Sequence, residues 1–125
     1  MSNKTKIDEL VIDGQTYVPK DTNEKAEELN GMKYVIVRTY SAGVFAGYLE
    51  SRNGQEVILI NARRLWYWDG SSSLSELSMK GVGKPENCKF PCEMDRVELL
   101  QAIEIIDCSE KARLSIKNVS IWTSQ

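Results

Sequence analysis

Short apolar runs alternate with turn-forming residues through the middle of the chain, and this pattern predicts an antiparallel sheet. The expected strands are rich in β-branched and aromatic residues and occupy residues 34–40, 44–50, 57–60 and 64–68. Asn53-Gly54, between the second and third runs, is a strong signal for a tight hairpin. Because the connections are too short for a crossover, neighbouring strands are expected to run antiparallel.

The periodicity changes after this region and predicts two short helices. Ser73 and Glu76 have the spacing of a capping box, in which the Ser73 hydroxyl binds the N–H of Glu76 and the Glu76 side chain binds the N–H of Ser73. That helix is expected to end at Lys80. Ser109 is expected to cap a last helix over residues 110–118.

The segments around these helices predict a loop, a strand and a tail. Residues 81–94 contain two Gly and two Pro and are expected to form a loop. Residues 96–106 are apolar on both alternating faces and predict one long strand. Residues 119–122 then close the chain as an edge strand or as a docked tail.

The first part of the chain reads as a separate extension. Residues 10–18 predict a small hairpin around an Asp-Gly turn, and residues 21–29 predict a polar helix closed by Asn30-Gly31. We therefore assign residues 1–31 to an N-terminal hairpin and helix extension. Residues 32–125 are expected to form a single α+β domain, a mostly antiparallel meander with two or three short helices packed beside it.

Composition limits the possible functions. The 125 residues carry a formal net charge of −2. This balance argues against sequence-independent binding of long nucleic acid, which requires a strongly basic face. The chain contains no run of about 18 apolar residues, the length that spans a membrane. The N-terminus also lacks the apolar segment of a secretion signal. An intracellular protein is expected, and residues 32–68, with five basic and two acidic side chains, are where an anion would be attracted.

The absence of histidine excludes several kinds of catalytic and metal site. With no His in the chain, Ser-His and Cys-His nucleophiles and His-based zinc sites are all excluded. Three cysteines in an intracellular protein are expected to be free thiols. Cys88 and Cys92 alone are a weak metal signal, so neither a metal nor a cofactor is predicted.

Aromatic residues and an arginine alternate along the fourth predicted strand. Trp66 and Trp68 would share a face with Arg64, and such a face can stack a nucleobase and pair with a phosphate. The structural alternative is a tryptophan-rich core or subunit interface. Arg63 would point to the opposite face, so both arginines of the pair cannot contact one ligand from a regular strand.

Two groups nearer the C-terminus also leave a binding role and a structural role open. Arg113 and Lys117 are four residues apart and lie on one helix face, where they either hold a phosphate group or form a solvated stripe. Pro91 restricts Phe90 to extended geometry, which either presents the ring for stacking or tucks it into the core.

Several segments together resemble the first-type Thoeris anti-defence family of small phage proteins. The resemblance spans about Lys33 to Trp122 and lies in Gly47-Tyr48-Leu49, Ala62-Arg63-Arg64-Leu65-Trp66-Tyr67-Trp68-Asp69-Gly70, Ser73-Leu74-Ser75-Glu76-Leu77, Lys84-Pro85-Glu86-Asn87-Cys88-Lys89-Phe90, Glu104-Ile105-Ile106 and Ser109-Glu110-Lys111-Ala112. Members of that family are sponges that capture cyclic ADP-ribose isomers made by bacterial TIR-domain defence enzymes and do not cleave them. Some also bind cyclic trinucleotides of the CBASS defence system at separate sites in a hexamer.

The resemblance implies a binding site, an assembly and a location. It implies that Phe90 stacks the adenine of glycocyclic ADP-ribose and that Arg113 lies on its opposite side or on the pyrophosphate. The further ligand-binding candidates are Arg64, Arg63, Asn87, Lys89, Lys117 and Trp68. It also implies a homodimer that can assemble into a hexamer, a trimer of dimers, in the host bacterial cytoplasm. Two alternatives stay open, a hydrolase of such signals and a structural or protein-interaction role.

Overall fold

Five antiparallel strands and two helices make up the part of the chain that this computed structural model describes, residues 24–124. The elements are β1 (Tyr34–Thr39), β2 (Val44–Asn53), β3 (Glu56–Arg64), α1 (Leu74–Lys80), a short 3-10 helix (Pro85–Asn87), β4 (Glu93–Leu99), β5 (Ala102–Asp107) and α2 (Glu110–Asn118). The predicted α+β class with an antiparallel meander is confirmed. The hairpin predicted for residues 10–18 lies outside the described residues.

The sheet is strongly curled. Its strand order is β4-β3-β2-β1-β5, so β4 and β5 are the two edge strands, yet only Leu100 and Gln101 separate them in sequence. Edge strands of a flat five-stranded sheet lie about 19 Å apart at about 4.8 Å per neighbour, and three extended residues span only about 10 Å. The sheet therefore bends towards a barrel. The N–H of Ala102, at the start of β5, donates to the carbonyl of Gln55 in the turn between β2 and β3, at 3.0 Å.

The single long strand predicted for residues 96–106 is wrong, because the chain turns this corner in its middle. The period-two pattern continues through the corner without a Gly or Pro to mark it. Leu100 at the corner is 67% exposed. The carbonyl of Gln101 accepts from the N–H of Tyr40 at 2.9 Å, which ties the corner to the end of β1.

The curled sheet has a core on each of its faces. The inner core, inside the curl, consists of Val35, Val37, Phe45, Val57, Leu59, Ala62, Leu99 and Ala102. The helix-side core lies under α1 and α2 and consists of Tyr34, Ile36, Ala46, Tyr48, Leu65, Leu77, Val82, Cys88, Phe90, Cys108, Ala112, Ile116 and Val119. Alternation along β1 assigns its side chains to the two cores in turn.

A β-bulge in β3 shifts the alternation of side chains. Ala46 pairs with Arg63 and Tyr48 pairs with Ile60, so Gly47 lies opposite two residues of β3 instead of one. Asn61 has a φ of +49°, a left-handed conformation that asparagine tolerates better than most residues. A Cβ on Gly47 would lie 2.9 Å from the Ala62 Cα, so only glycine allows this close approach.

The fourth strand predicted for residues 64–68 is wrong. β3 continues to Arg64, and its last contact with β2 is the bond from the N–H of Leu65 to the carbonyl of Val44, at 2.8 Å. Since β2 begins at Val44, the residues after Leu65 have no further partner there. Tyr67 instead forms an isolated pair with Lys89.

The helix caps at Ser73 and Ser109 form largely as the sequence predicts. The Ser73 hydroxyl accepts from the N–H of Glu76 at 3.2 Å, and the Ser109 hydroxyl accepts from the N–H of Ala112 at 3.1 Å. The reciprocal half of the first capping box is wrong, because the Glu76 carboxylate accepts from the N–H and hydroxyl of Ser72 instead. Ser72 lies within hydrogen-bond distance of the Glu76 carboxylate, so the carboxylate binds the residue before Ser73.

The described part of the predicted N-terminal helix is extended, so that prediction is wrong for residues 24–29. Lys25 pairs with Ser109. Leu29 and Met32 exchange both backbone hydrogen bonds around Asn30-Gly31, whose φ angles of +52° and +82° suit a tight primed turn. The Asn-Gly pair is thus a hairpin turn and not a helix cap.

The end of the chain confirms the docked-tail prediction. Ile121 forms an isolated parallel pair with Phe90. The N–H of Trp122 donates to the carbonyl of Phe90 at 3.0 Å. The tail is therefore fixed to the loop that precedes β4.

Candidate ligand-binding site

A cavity of about 560 Å³ opens where the β1–β2 loop meets the corner between β4 and β5. Its volume is in the range typical of small-molecule sites. Phe45 and Leu99 form part of its wall on the inner core, and Arg64, Ser41 and Gln101 contribute polar groups. The curl of the sheet brings these residues together from three separate parts of the chain.

Arg64 is the cation of this cavity and has an unusual environment. It is the direct cross-strand partner of Phe45, and its guanidinium carbon lies 4.6 Å from the centre of that ring. Its Nε is buried and is the sole buried side-chain N or O atom of residues 24–124 without a hydrogen-bond partner. Because buried donors are nearly always paired, this arrangement is unusual for a structural arginine.

The β1–β2 loop that forms one wall of the cavity is held by Thr39. The Thr39 hydroxyl donates to the carbonyl of Gly43 at 2.7 Å and accepts from the N–H of Ala42 at 2.9 Å. These bonds fix the backbone of the loop that carries Ser41, one of the residues that line the cavity.

Arg63 lies on the opposite face of the sheet and is a structural residue. It is 4% exposed, and its guanidinium donates to the carbonyls of Pro91, Ile116 and Phe90 at 2.8, 2.8 and 3.0 Å. Burial lowers the pKa of Arg63. All of these bonds join β3 to the loop that precedes β4 and to the end of α2, and the guanidinium is too deeply buried to receive a ligand.

Phe90 is fully buried in the helix-side core. The guanidinium of Arg63 lies 5.5 Å from the centre of its ring. No face of the ring is open to a nucleobase, so the structure places Phe90 as a core anchor. This placement disagrees with the stacking role that the resemblance implies.

Arg113 and Lys117 share a face of α2 as expected, and both are paired within the protein. Arg113 forms a two-bond contact with Glu110 at 2.9 and 2.6 Å, which raises the pKa of Arg113. It also donates to the hydroxyl of Tyr48 at 3.2 Å. Lys117 lies 3.0 Å from Glu93. A phosphate would have to displace these carboxylates.

Three further candidates lie outside the Arg64 cavity. Asn87 donates to Asp69 at 2.9 Å, which lowers the pKa of that carboxyl. Lys89 lies over the ring of Trp122 at 5.7 Å. Trp68 packs against the helix-side core, so the shared face predicted for it and Arg64 is wrong, because the chain leaves the sheet after Leu65.

Of the eight predicted ligand-binding residues, the structure places only Arg64 in the cavity. Sequence reasoning missed Phe45, Ser41 and Gln101. Strand alternation could have pointed to Phe45, since it follows the Ser-Ala-Gly turn on a β-rich run. Nothing in the sequence indicated that residues near the corner approach the β1–β2 loop.

Among the carboxyls and thiols, every shifted pKa moves away from neutrality. Burial raises the pKa of the Cys108 thiol to about 12 and also raises that of Cys88. Hydrogen bonds lower the pKa values of Glu76 and Glu110. Within residues 24–124 no group of three His, Cys, Asp or Glu side chains is arranged to hold a metal, and no helix is long and apolar enough to cross a membrane.

Comparison with known proteins places the chain in a family. No curated protein and no solved structure matches it. A family model described as a domain of unknown function, DUF6948, matches residues 32–116. That range includes all five strands and most of α2. The chain therefore belongs to the DUF6948 family.

Proposed function

We propose that the protein binds an anionic cyclic nucleotide signal, glycocyclic ADP-ribose or a related isomer, and holds it without cleaving it. In this role it is a phage sponge that acts in the host bacterial cytoplasm against Thoeris defence. It works as a homodimer that can assemble further into a hexamer, and cyclic trinucleotides of CBASS are candidate ligands of separate sites. The motifs shared with the first-type Thoeris anti-defence family support this assignment.

The observation that carries the proposal is that Arg64 is the one cation among the residues that line the cavity. A buried Nε without a partner normally costs stability, and here it belongs to a cation beside a cavity of about 560 Å³. A bound anion would pair with the positive charge of the guanidinium. The ring of Phe45 holds the guanidinium in position before the ligand arrives, and such preorganisation favours affinity.

The carboxyls and thiols whose pKa values shift are poorly suited to act as a general acid or base. A general acid or base works best with a pKa near the working pH. The shifted carboxyls Asp69, Glu76 and Glu110 are stabilised as anions, and the shifted thiols Cys88 and Cys108 are stabilised in the protonated form. These groups lie outside the Arg64 cavity, and a sponge requires neither a general acid nor a general base.

Calorimetric titration with glycocyclic ADP-ribose tests the proposal. We expect saturable binding, followed by release of unchanged ligand when the complex is heated and chromatographed. The Arg64→Gln variant is expected to lose at least tenfold in affinity. The control is Arg52→Gln, which removes an exposed arginine whose Nε bonds to the carbonyl of Gly54 in its own turn and which is not part of the cavity wall.

Two other results would reject all or part of the proposal, and a second titration tests its separate site. A product that accumulates with time identifies a hydrolase. Equal affinity of the Arg64→Gln variant and the wild type shows that the signal binds elsewhere. A second titration with a cyclic trinucleotide tests the separate site, because binding of both ligands without competition requires two sites.

A protein-interaction role is the second candidate, and exposed aromatic residues favour it. Trp66, Tyr67 and Trp122 are 64%, 51% and 42% exposed, and aromatic residues are enriched in protein interfaces. The isolated pairs of Tyr67 with Lys89 and of Ile121 with Phe90 bring these side chains to neighbouring segments. No binding of either nucleotide signal would favour this candidate.

A further inference from the structure

We infer that two copies of the chain pair edge to edge through β5, in antiparallel direction, with Ile106 of each copy at the two-fold axis. This inference deepens the proposed function, on which it rests for the homodimer, by naming the surface and the register through which the two copies meet. The partner of this strand is therefore a second copy of the same chain.

β5 has a free edge within the described residues, because it is the last strand of the sheet and lies beside β1. The N–H of Cys108 donates to the carbonyl of Tyr34 at 3.2 Å. Alternation from that bond directs the N–H and carbonyl of Ile106 towards β1. The same alternation directs those of Ile105 and Asp107 away from β1. Within residues 24–124 these outward groups have no backbone partner.

Space for another strand lies along this edge. An open cavity of about 570 Å³ is lined by Ile103, Glu104 and Ile105 on one side and by the turn between β2 and β3 on the other. In the described part of the chain, one backbone bond crosses this gap, from the N–H of Ala102 to the carbonyl of Gln55. From Ile103 onward the edge is therefore open to a strand that runs alongside it.

The charges of the two edge strands favour β5 over β4 for pairing. β4 carries three acidic residues and one arginine in its seven positions, and such charges protect an edge against pairing. β5 carries two acids and neither Pro nor Lys. Glu104 lies 3.0 Å from Arg38, and Asp107 lies 3.0 Å from Lys33. Because both acids are compensated within their own chain, two β5 strands can approach each other.

The outward groups select the register of the pairing. A two-fold axis at Ile106 places Ile105 of each copy opposite Asp107 of the other, so all the outward groups of both residues form hydrogen bonds. Glu104 then lies opposite Cys108, and no acid faces another acid. The two half-buried Ile106 side chains meet at the axis as the closer, non-hydrogen-bonded kind of cross-strand pair.

An axis at Ile105 is the alternative register and uses these groups less well. It places Asp107 opposite Ile103. Ile103 lies where the ladder between β5 and β1 shifts its register, and such a bulge disrupts regular pairing. The regular part of β5 therefore favours the axis at Ile106.

Cross-linking of cysteine variants tests this register in the full chain. Both variants carry Cys92→Ser, which removes the exposed native thiol. In Ile106→Cys the two new thiols lie on directly opposite residues, whose Cα atoms are about 4.5 Å apart, within the range for a disulfide. In the control Ile105→Cys they are offset by two residues and about 8 Å apart, too far for a disulfide. Oxidised glutathione accepts the two electrons as the thiols lose their protons and join.

We expect Ile106→Cys to form at least about tenfold more covalent dimer than Ile105→Cys, because only the first pair meets the geometry of a disulfide. A non-reducing gel measures the two yields. A higher yield from Ile105→Cys overturns the register. Equal yields, or no covalent dimer from either variant, overturn the inference.

A proline variant tests the same edge without a covalent bond. Ile105→Pro removes an N–H that β1 does not use, and proline is tolerated on an edge strand when that side is free. Light scattering measures the mass of the full chain over about 5–500 µM, since small interfaces are usually weak. We expect the wild type to pass from monomer to dimer and Ile105→Pro to need at least about tenfold higher concentration.

The control is Leu114→Ser, which removes an apolar side chain of α2 that is 45% exposed and is expected to dimerise as the wild type does. Melting curves verify that each variant is folded. If Ile105→Pro does not fold, the cysteine pair decides the inference by itself.

The outcomes separate this inference from the proposed function. If the wild type dimerises and neither the cysteine pair nor Ile105→Pro behaves as expected, the homodimer stands and β5 is not its surface. If the wild type is a monomer at every concentration, the inference and the homodimer are both wrong. If the copies pair through β5 and glycocyclic ADP-ribose does not bind, the inference stands and the proposed ligand is wrong.

Discussion

Arg63 and Arg64 are consecutive in β3, yet their side chains enter the two different cores of the sheet. Arg63 pairs with Ala46 and bonds three backbone carbonyls on the helix side. Arg64 pairs with Phe45 on the inner core and leaves a buried donor unpaired. The same residue type, at adjacent positions, is thus used once for structure and once for a candidate site.

Replacing Arg64 with methionine is expected to leave stability unchanged or to raise it by up to about 1 kcal/mol. Methionine keeps an unbranched side chain over Phe45, and the change removes an unpaired buried donor, which is otherwise unfavourable. Urea denaturation of Arg64→Met and the wild type measures the difference. A loss of roughly 2 kcal/mol or more, which is typical of substitutions in a protein core, would show that Arg64 is structural.

The same substitution at the neighbouring position is expected to have the opposite result. Arg63→Met removes the charged donor of three buried hydrogen bonds, to the carbonyls of Phe90, Pro91 and Ile116. We expect a loss of about 3 kcal/mol or more, since each hydrogen bond from a charged group contributes roughly 1.5–3 kcal/mol. Equal midpoints for the two methionine variants in urea would contradict this assignment.

Phe90→Leu tests whether this ring is a core residue. The side chain is fully buried, and a smaller apolar residue leaves a cavity, so we expect a loss of about 1–3 kcal/mol in unfolding free energy. The affinity for glycocyclic ADP-ribose is measured under conditions in which the variant is folded. We expect it to stay within about twofold of the wild type, a smaller change in binding free energy than the loss of one hydrogen bond causes. A stable variant with lost affinity would restore the stacking role.

Acid is expected to destabilise the protein through Glu110. The hydrogen bonds from Arg113 hold the pKa of Glu110 below its ordinary value in the folded state, so its stabilising effect is full above about pH 4.5 and is lost as the pH falls below that value. Asp69 and Glu76, whose pKa values are also lowered, act in the same direction.

Denaturation midpoints at pH 6 and pH 3.5 measure this effect. We expect Glu110→Gln to be less stable than the wild type at pH 6 and to lose less stability on acidification. The exposed Glu98, which lies 3.5 Å from Arg96, provides the control variant Glu98→Gln. An identical pH dependence of wild type and Glu110→Gln would show that the Glu110–Arg113 pair does not contribute.

Local sequence signals determined much of this protein. The caps at Ser73 and Ser109, the bounds of α2, the hairpin after Asn53 and the antiparallel order of β1, β2 and β3 all follow from side-chain chemistry within a few residues. These features need no distant partner, because a hydroxyl within reach of an N–H, or a glycine in a tight turn, acts locally. The stacking, charge-pairing and assembly roles implied by the family resemblance stay predictions.

Only the tertiary structure decided which arginine reaches the cavity and which aromatic residue is buried. The bulge at Asn61 depends on the close approach of Gly47 to Ala62, and the corner after Leu99 depends on the bond from Ala102 to Gln55. Both contacts join residues that are distant in sequence and leave the period-two pattern unbroken. Strand periodicity predicts that side chains alternate between the two faces of the sheet. Long-range packing decides at which residues a bulge or a corner shifts that alternation.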